Sequence, residues 1–279
     1  MDIVAKQYAQ EAEQLIKTTT YLEYFSYFKT IKRKHIVNLY EKAGNLFELV
    51  ESFESAGNNF MLTATYYIEL NSMLLSALNH KRAGDCFQKS ANYAKSTAAY
   101  LMAIEQRPFD TDFVVKCSEY IAENYFALGN VAECIQWFEK CIIENVKIGR
   151  DDLNFDFYDK LGIIYCTCLK RYVIGITVYD KLVELLRKRG DVSLPIYCFI
   201  AILLRILAND DDMEFAKKYM DSLDKSFLES EYAEFLKNIF FFAGKDAKML
   251  ERLHKYYGER VAGLDNVNVH ELICAVIAL

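Results

Sequence analysis

The sequence predicts an all-α protein in which helical hairpins stack into a twisted right-handed solenoid, followed by a C-terminal helical bundle. Only 2 prolines and 11 glycines occur among the 279 residues, so few residues interrupt long helices. Apolar residues make up 53% of the chain, which is too large a share for a disordered protein. A pattern of small and aromatic residues also recurs along the chain, as in helical repeat proteins.

The repeat is clearest between residues 43–60 and 83–100, which superpose at an offset of 40. The matched positions are Gly44 with Gly84, Phe47 with Phe87, Phe53 with Tyr93, and Phe60 with Tyr100. Related patterns follow at residues 120–142 and 161–182. Small residues allow two helices to approach closely, and an aromatic side chain fills the space beside them. This arrangement is typical of tetratricopeptide-like hairpins, whose usual period is about 34 residues.

The repeats and the turns between them define the predicted organisation of the chain. The expected hairpins lie at residues 36–62, 75–105, 112–146, 154–188 and 194–223. The tripeptides LGN (128–130) and RGD (189–191) are expected to form turns between helices. One hairpin cannot bury its apolar face alone, so neighbouring hairpins must stack. We predict that residues 1–225 form the solenoid and that residues 226–279 form a helical bundle packed on it.

Charge and cysteine content favour a cytoplasmic protein that does not bind nucleic acid. The net charge is −6, whereas non-specific nucleic-acid binding needs an excess of Lys and Arg. The first residues, MDIVAKQYAQEAEQ, are polar and charged, unlike a secretory signal. No run of about 18 apolar residues is present, so no transmembrane helix is expected. The 8 cysteines are scattered in apolar contexts and are predicted to be reduced, mostly buried thiols.

The sequence contains no motif that supports catalysis or cofactor binding. The four histidines lie far apart, and no HExxH, GxGxxG or GxxxxGK[ST] motif occurs. Cys166 and Cys168 are separated by one residue in an apolar segment, which favours a place in the core over metal binding. We therefore predict no catalytic residue, no metal and no cofactor, and expect that the protein is not an enzyme.

The segment TTTYLEYFSYFKTIKRKH (18–35) has two interpretations. One is a buried helix, because four of its aromatic residues share a helical face. The other is membrane contact, because the apolar residues taken together surround most of the helix, and a basic run that could bind anionic lipid follows at once. We favour membrane contact by Tyr21, Leu22, Tyr24, Phe25, Tyr27 and Phe28, followed by Lys29, Lys32, Arg33 and Lys34.

Residues 12–47 resemble the opening of the soluble NSF attachment protein (SNAP) family and align with it without gaps. The matching features are Ala12-Glu13, the aromatic segment 21–28, Tyr40, and the block Ala43-Gly44-Asn45-Leu46-Phe47. Residues 52–64 and 81–105 also resemble the repeats of that family, including Ala-Gly-x-x-Phe and Ala-Ile-Glu elements. The resemblance is strong over residues 10–145 and is weaker but collinear to the end of the chain.

The resemblance implies an adaptor that is cytoplasmic and peripherally associated with membranes. SNAP proteins bind along the four-helix bundle of an assembled SNARE complex. They recruit the hexameric ATPase NSF, which separates the bundle so that its members can be reused in vesicle fusion. The family's membrane loop corresponds to residues 21–28, and its SNARE-contacting lysines correspond to Lys116 and Lys160. A solvated lysine on a helix is the alternative at both positions.

Other positions depart from the family pattern and suggest a divergent member of its alpha- or gamma-like branch. Ile200 and Glu231 stand where two further basic residues are expected, and FFFAGKDA (240–247) is scarcely acidic where an acidic patch is expected. The chain also stops before the acidic, leucine-bearing tail of the family. An ATPase contact is expected weakly at Leu272 and Leu279, although packing of this last helix on its neighbour is the favoured interpretation. The alternative function is a generic tetratricopeptide-like scaffold without an ATPase partner.

Overall fold

The computed structural model describes residues 1–18, 26–107, 110–208, 213–242, 252, 255 and 267–277. Its contacts divide the chain into two compact units, residues 1–151 and residues 152–279, called unit 1 and unit 2 below. The domain boundary predicted after residue 225 does not coincide with this division, and it stays a prediction. The regular elements of the described residues are all helical, and they stack as hairpins. This confirms the predicted fold class.

Unit 1 consists of seven described helices, each packed against its neighbours in the chain. They are α1 (Asp2–Lys17), α2 (Ser26–Leu49), α3 (Phe53–Glu69), α4 (Met73–Lys89), α5 (Tyr93–Gln106), α6 (Thr111–Ala127) and α7 (Val131–Lys147). The predicted hairpin at 36–62 corresponds to α2 and α3, and α2 begins ten positions earlier than expected. The hairpins predicted at 75–105 and 112–146 correspond to α4 with α5 and to α6 with α7.

Unit 2 is organised around one helix that is buried on all sides. A 3₁₀ turn (Asp151–Asn154) leads into α8 (Phe155–Ile163), a π-helical turn (Ile164–Cys168), α9 (Tyr172–Arg189), α10 (Leu194–Ala208), α11 (Met213–Asp221), α12 (Lys225–Leu228), α13 (Glu231–Phe242) and α14 (Val267–Ile277). Every residue of α10 from Ile196 to Leu207 is buried. A helix that is apolar all round belongs in the centre of a core, and α10 contacts α9, α11, α12, α13 and α14.

Most of the turns between helices share one hydrogen-bonding pattern. After α4, the Asn92 amide donates to the Phe87 carbonyl at 2.8 Å and the Ala91 amide donates to Gln88 at 2.9 Å. This is the Schellman motif, and its central residue must adopt a left-handed conformation. The predicted turns at LGN and RGD follow it with Gly129 and Gly190, whose φ angles are +77° and +64°. In the turns after α2, α3 and α4, the left-handed position is occupied by Glu51, Asn71 and Ala91 instead of glycine.

Close packing of small against aromatic residues joins the helices, as the repeat predicts. A Cβ atom added to Gly84 in α4 would lie only 2.7 Å from the ring of Tyr100 in α5. Tyr100 is completely buried, and its hydroxyl donates to Asp85 at 2.7 Å. The same contact distance is found for Gly44 with Phe60, Gly57 with Phe87, and Gly162 with Tyr179.

The eight cysteines are thiols rather than disulfides, as predicted. Six of them are buried, including Cys166. Cys168 lies at the end of the π-helical turn and is exposed, so the predicted core position is wrong for this residue. Within the described part of the chain, no group of three or more His, Cys, Asp and Glu side chains is placed to hold a metal ion.

Candidate interaction surfaces

The start of α2 exposes two aromatic side chains. Tyr27 is 69% exposed and Phe28 is 42% exposed, and their rings meet edge to face with centroids 5.6 Å apart. Lys29 and Lys34 are also exposed on the first turns of α2. An exposed aromatic pair beside lysines does not fit the buried-helix interpretation for this part of the segment. Tyr21, Leu22, Tyr24 and Phe25 lie outside the described residues.

The other two basic residues of this segment have partners within the protein. The Lys32 ammonium group donates to the Thr18 carbonyl, which ties the start of α2 to the end of α1. Arg33 forms a 2.6 Å ion pair with the carboxylate of Glu69, the last residue of α3. Both side chains are half-buried. The basic run therefore presents Lys29 and Lys34 to a ligand more fully than Lys32 and Arg33. Among the described residues, no helix is long and apolar enough to cross a membrane.

Lys116 lies on an exposed face of α6. Its ammonium group donates to Glu119 at 2.9 Å and lies 4.8 Å from the centre of the Tyr120 ring. The hydrogen bond to Glu119 raises the pKa of Lys116 and so favours the cationic form of this side chain. Because the ammonium group is exposed and its carboxylate partner lies only one helical turn away, it can exchange this partner for another anion at low cost.

A second lysine approaches the same ring from α4. The Lys81 ammonium group lies 5.5 Å from the centre of the Tyr120 ring and pairs with Asp85 at 2.9 Å. Tyr120 stacks on the buried ring of Tyr100, with centroids 5.2 Å apart. Sequence reasoning missed Lys81 as a neighbour of Lys116. The two lysines and Tyr120 form one cationic and aromatic site, which we call the α4–α6 site.

Basic residues also recur at the 40-residue interval of the repeat, in α2 and α4. Arg82 stacks on the Phe60 ring at 3.9 Å and pairs with Glu48 at 3.1 Å. Lys42, its equivalent at the offset of 40, lies 5.7 Å from the centre of the Tyr8 ring. In both repeats the basic residue precedes Ala-Gly, and this repeated pattern in the sequence could have identified both residues.

Lys160 lies in unit 2, near the end of α8, and is half-buried. Its neighbour Asp159 is a carboxyl group inside the unit, and one of its oxygen atoms is buried without a hydrogen-bond partner. Burial raises the pKa of Asp159, and the nearby carboxylate of Asp156 acts in the same direction, whereas the hydrogen bond from Tyr197 opposes them. Lys116 belongs to unit 1 and Lys160 belongs to unit 2.

The comparison with protein families shows to which family the chain belongs. The model of the family described as "Soluble NSF attachment protein, SNAP" matches residues 4–266. The chain belongs to the SNAP family. No curated protein matches the sequence.

Two solved structures are similar to this SNAP-family chain, each with 13% identity. The crystal structure of BtubC (BKLC) from P. vanneervenii covers 79% of this chain and 87% of its own, with a TM-score of 0.47. The crystal structure of the apo form of RapI covers 87% of this chain and 95% of its own, with a TM-score of 0.48. The assignment to stacked helical hairpins rests on the helices described above.

Two of the positions at which the chain departs from the SNAP pattern differ in exposure. Ile200 is completely buried in α10, where a charged side chain would have to be paired to be tolerated. Glu231 is exposed at the start of α13, where an acidic residue suits the positive end of the helix dipole. Where the resemblance leads us to expect basic residues, Ile200 is therefore part of the core and Glu231 carries an exposed negative charge.

Of the two leucines predicted to contact the ATPase, the structure describes Leu272. Leu272 is 3% exposed in α14 and belongs to the same buried cluster as residues of α10 and α13. An ATPase contact through Leu272 would require this side chain to leave the core, so its position supports the packing interpretation. Leu279 lies outside the described residues. In the apolar segment 240–242, Phe241 is exposed and meets Phe242 edge to face.

Proposed function

We propose that the protein is an adaptor that binds assembled SNARE complexes and recruits an NSF-type hexameric ATPase for their disassembly in vesicle fusion and intracellular transport. The observation that carries this proposal is the SNAP family match over residues 4–266. In this role the protein is not an enzyme. It provides surfaces that bring the ATPase to its substrate, as helical repeat scaffolds commonly do.

The start of α2 supports a peripheral association with the cytoplasmic face of a membrane. Tyr27 and Phe28 are amphipathic or apolar rings of the kind that lie at the boundary between lipid headgroups and acyl chains. Lys29 and Lys34 beside them would be attracted to anionic headgroups, by about 1 kcal/mol each. We propose that these residues, together with the apolar residues between 21 and 25, hold the adaptor at the membrane that carries the SNARE complex.

The α4–α6 site supports a contact with an acidic partner such as a SNARE bundle. Lys116 and Lys81 approach the same Tyr120 ring from two repeats, so an acidic helix crossing this site would meet two cations in one place. Exposed charges of this kind act more on association rate and register than on affinity. Lys160 is proposed as a second contact from unit 2, on the basis of its family alignment.

A reconstituted disassembly assay tests the proposal. It contains the full chain, an NSF-type ATPase and an assembled SNARE complex, either soluble or anchored in liposomes. Stimulated ATP hydrolysis followed by separation of the bundle is the expected result. If the chain bound neither the SNARE bundle nor the ATPase, the adaptor proposal would be wrong and the generic scaffold hypothesis would replace it.

The membrane part of the proposal is tested in the same assay with Tyr24, Phe25, Tyr27 and Phe28 changed to Ser. We expect loss of the liposome-dependent stimulation, with activity on soluble SNARE bundles nearly unchanged. Leu49→Ser is the matched control, because Leu49 is 66% exposed at the opposite end of α2. If the quadruple variant unfolded, the segment would be a core helix.

A further inference from the structure

The start of α4 lies at the same end of unit 1 as the start of α2. Successive helices are joined by short turns and therefore run in opposite directions. The ion pair between Arg33 and Glu69 places the start of α2 beside the end of α3. The 70–72 turn then brings the chain back, and Ser76 of α4 donates to the Ala64 carbonyl of α3 at 2.9 Å. The beginnings of α2 and α4 are thus neighbours across the end of α3.

The first turn of α4 exposes three large apolar side chains in succession. Leu74 is 53% exposed, and Met73 and Leu75 beside it are also exposed. Leu78, one turn later on the same helix, is exposed as well. Helix starts at the opposite end of the unit vary: α3 begins Phe-Glu-Ser and α5 begins Tyr-Ala-Lys, whereas the start of α1 exposes Met1, Ile3 and Val4. The α4 start, defined here as residues 73–75, places apolar surface at the same end of the unit as the exposed rings of Tyr27 and Phe28.

The charged groups at this end favour an anionic partner. Lys17, Lys29 and Lys34 are exposed there, and the carboxylate of Glu69 is paired with Arg33. Glu105, near the end of α5, adds one exposed carboxylate to this end. An exposed apolar surface rimmed by cations is the combination that binds an anionic lipid surface.

The geometry allows both helix starts to reach one bilayer. Phe28 precedes Arg33 by five positions, so the tip of α2 projects about 8 Å beyond the end of α3. Amphipathic elements enter the headgroup region to a depth of about 5–10 Å. With the α2 tip inserted to that depth, the α4 start lies at the level of the headgroups, and a modest tilt of the unit brings it deeper.

We propose that Met73, Leu74 and Leu75 form a second lipid-contacting element, so that the protein binds an anionic bilayer through the starts of both α2 and α4. This inference rests on the proposed membrane role of the α2 start. Two contacts on rigid neighbouring helices fix the orientation of unit 1 on the bilayer, which a single loop cannot do.

Vesicle flotation with the full chain tests this element. The vesicles contain either phosphatidylcholine alone or phosphatidylcholine with phosphatidylserine. We expect the double variant Leu74→Ser, Leu75→Ser to bind phosphatidylserine vesicles about tenfold more weakly than the wild type. The control pair, Leu49→Ser with Leu128→Ser, removes two exposed leucines from the opposite end of the unit and should leave binding unchanged.

A tryptophan probe answers the same question without removing apolar surface. The chain has a single tryptophan, Trp137, so Leu74→Trp in a Trp137→Phe background reports from the α4 start alone. Quenching by brominated acyl chains is expected at position 74, and stronger quenching at position 28 in the equivalent Phe28→Trp protein. If the double serine variant fails to fold, this measurement still decides the matter.

The outcomes separate the two proposals. If the Tyr27→Ser, Phe28→Ser variant loses vesicle binding while the Leu74→Ser, Leu75→Ser variant keeps it, the second element is refuted and the membrane role of the α2 start remains. An unquenched probe at position 74 in vesicle-bound protein would refute it equally. If the wild-type chain binds no vesicles, the proposed membrane role fails, and the second element fails with it.

Discussion

Replacing Gly84 with alanine tests the packing rule on which the repeat is built. The added Cβ would meet three ring atoms of Tyr100 at 2.7, 2.8 and 2.9 Å. An ordinary contact between carbon atoms is about 3.5–4.0 Å. The ring has little room to retreat, because Tyr120 stacks on it at 5.2 Å and Asp85 accepts its hydroxyl at 2.7 Å. Either the ring leaves this hydrogen bond or α4 and α5 move apart.

The expected change in the free energy of unfolding is the balance of two opposing effects. Adding a methyl group to a tightly packed core costs about 1–3 kcal/mol. Replacing glycine by alanine within a helix returns about 1 kcal/mol through helix propensity. Since Tyr100 is held on two sides, we expect the upper part of the packing cost and a net loss of about 1–2 kcal/mol in the free energy of unfolding. For a unit of this size the melting temperature should fall by about 4 °C.

The intrinsic fluorescence of Trp137 gives a suitable assay. This residue lies in α7, so its signal reports unfolding of unit 1 in urea or on heating. Gly84→Ala is compared in the wild-type background and in a Tyr100→Leu background. With the ring removed, the added methyl group has space, and the substitution should then stabilise by about 1 kcal/mol. The coupling between the two sites should therefore be about 2–3 kcal/mol.

One result would refute the reasoning about Gly84 directly. If Gly84→Ala raised the stability of the otherwise unchanged protein, helix propensity alone would explain the effect. The ring of Tyr100 would then move without cost, and the recurrence of a small residue at this position of the repeat would need a physical cause other than close packing.

Three further predictions concern a turn, a buried acid and a lysine. Ala91→Gly should raise the free energy of unfolding by about 1 kcal/mol in urea titrations, because glycine adopts the left-handed turn conformation without strain; a loss would contradict this account. Asp159→Asn should stabilise the protein at pH 7. Because the pKa of Asp159 is raised in the folded state, the contribution of this carboxyl group to stability is fully present below the ordinary Asp pKa of about 3.9 and is lost as pH rises through the folded-state value. The gain from Asp159→Asn should therefore vanish in acid, and calorimetry at several pH values checks this. Lys116→Glu combined with Lys160→Glu should slow SNARE association most at low salt. Lys181→Glu is the control and should not slow it, although Lys181 pairs with Glu184 at the same three-residue spacing as Lys116 with Glu119. Stopped-flow association rates that stay unchanged in the double variant at low ionic strength would contradict a SNARE contact.

Much of the fold could be predicted from local patterns. The offset of 40 that aligns Gly44 with Gly84 and Phe60 with Tyr100 predicted that small and aromatic residues pack together between helices. The structure then showed that Gly44 packs on Phe60 and Gly84 on Tyr100. The turns at 128–130 and 189–191 were predictable because glycine adopts a left-handed conformation without strain. Ala91 was not predictable as a turn residue, since its own conformational preference opposes the position.

The candidate surfaces were predictable only in part. The aromatic and basic composition of residues 18–35 indicated a membrane contact, but the sequence could not show that Arg33 is used in an ion pair with Glu69. Likewise, Lys116 was found by family resemblance, whereas Lys81 was missed. The two lysines approach the same tyrosine ring only because the folded unit brings Lys81 of α4 to within 5.5 Å of the centre of the Tyr120 ring in α6.

The sequence by itself determined the helical class, the repeat, the hairpin contacts and membership of the SNAP family, because all of these depend on residues that are close in the chain or recur at a fixed interval. Only the tertiary structure decided how charged groups are paired. Arg205 stands in α10, the most apolar of the described helices. It is buried, with its guanidinium group bonded to Asp180 of α9 at 2.7 Å and stacked on Tyr219 of α11 at 3.5 Å. Periodicity shows which face of a helix is apolar, but the partner across an interface depends on how the helices cross, and that is settled only when the whole unit packs.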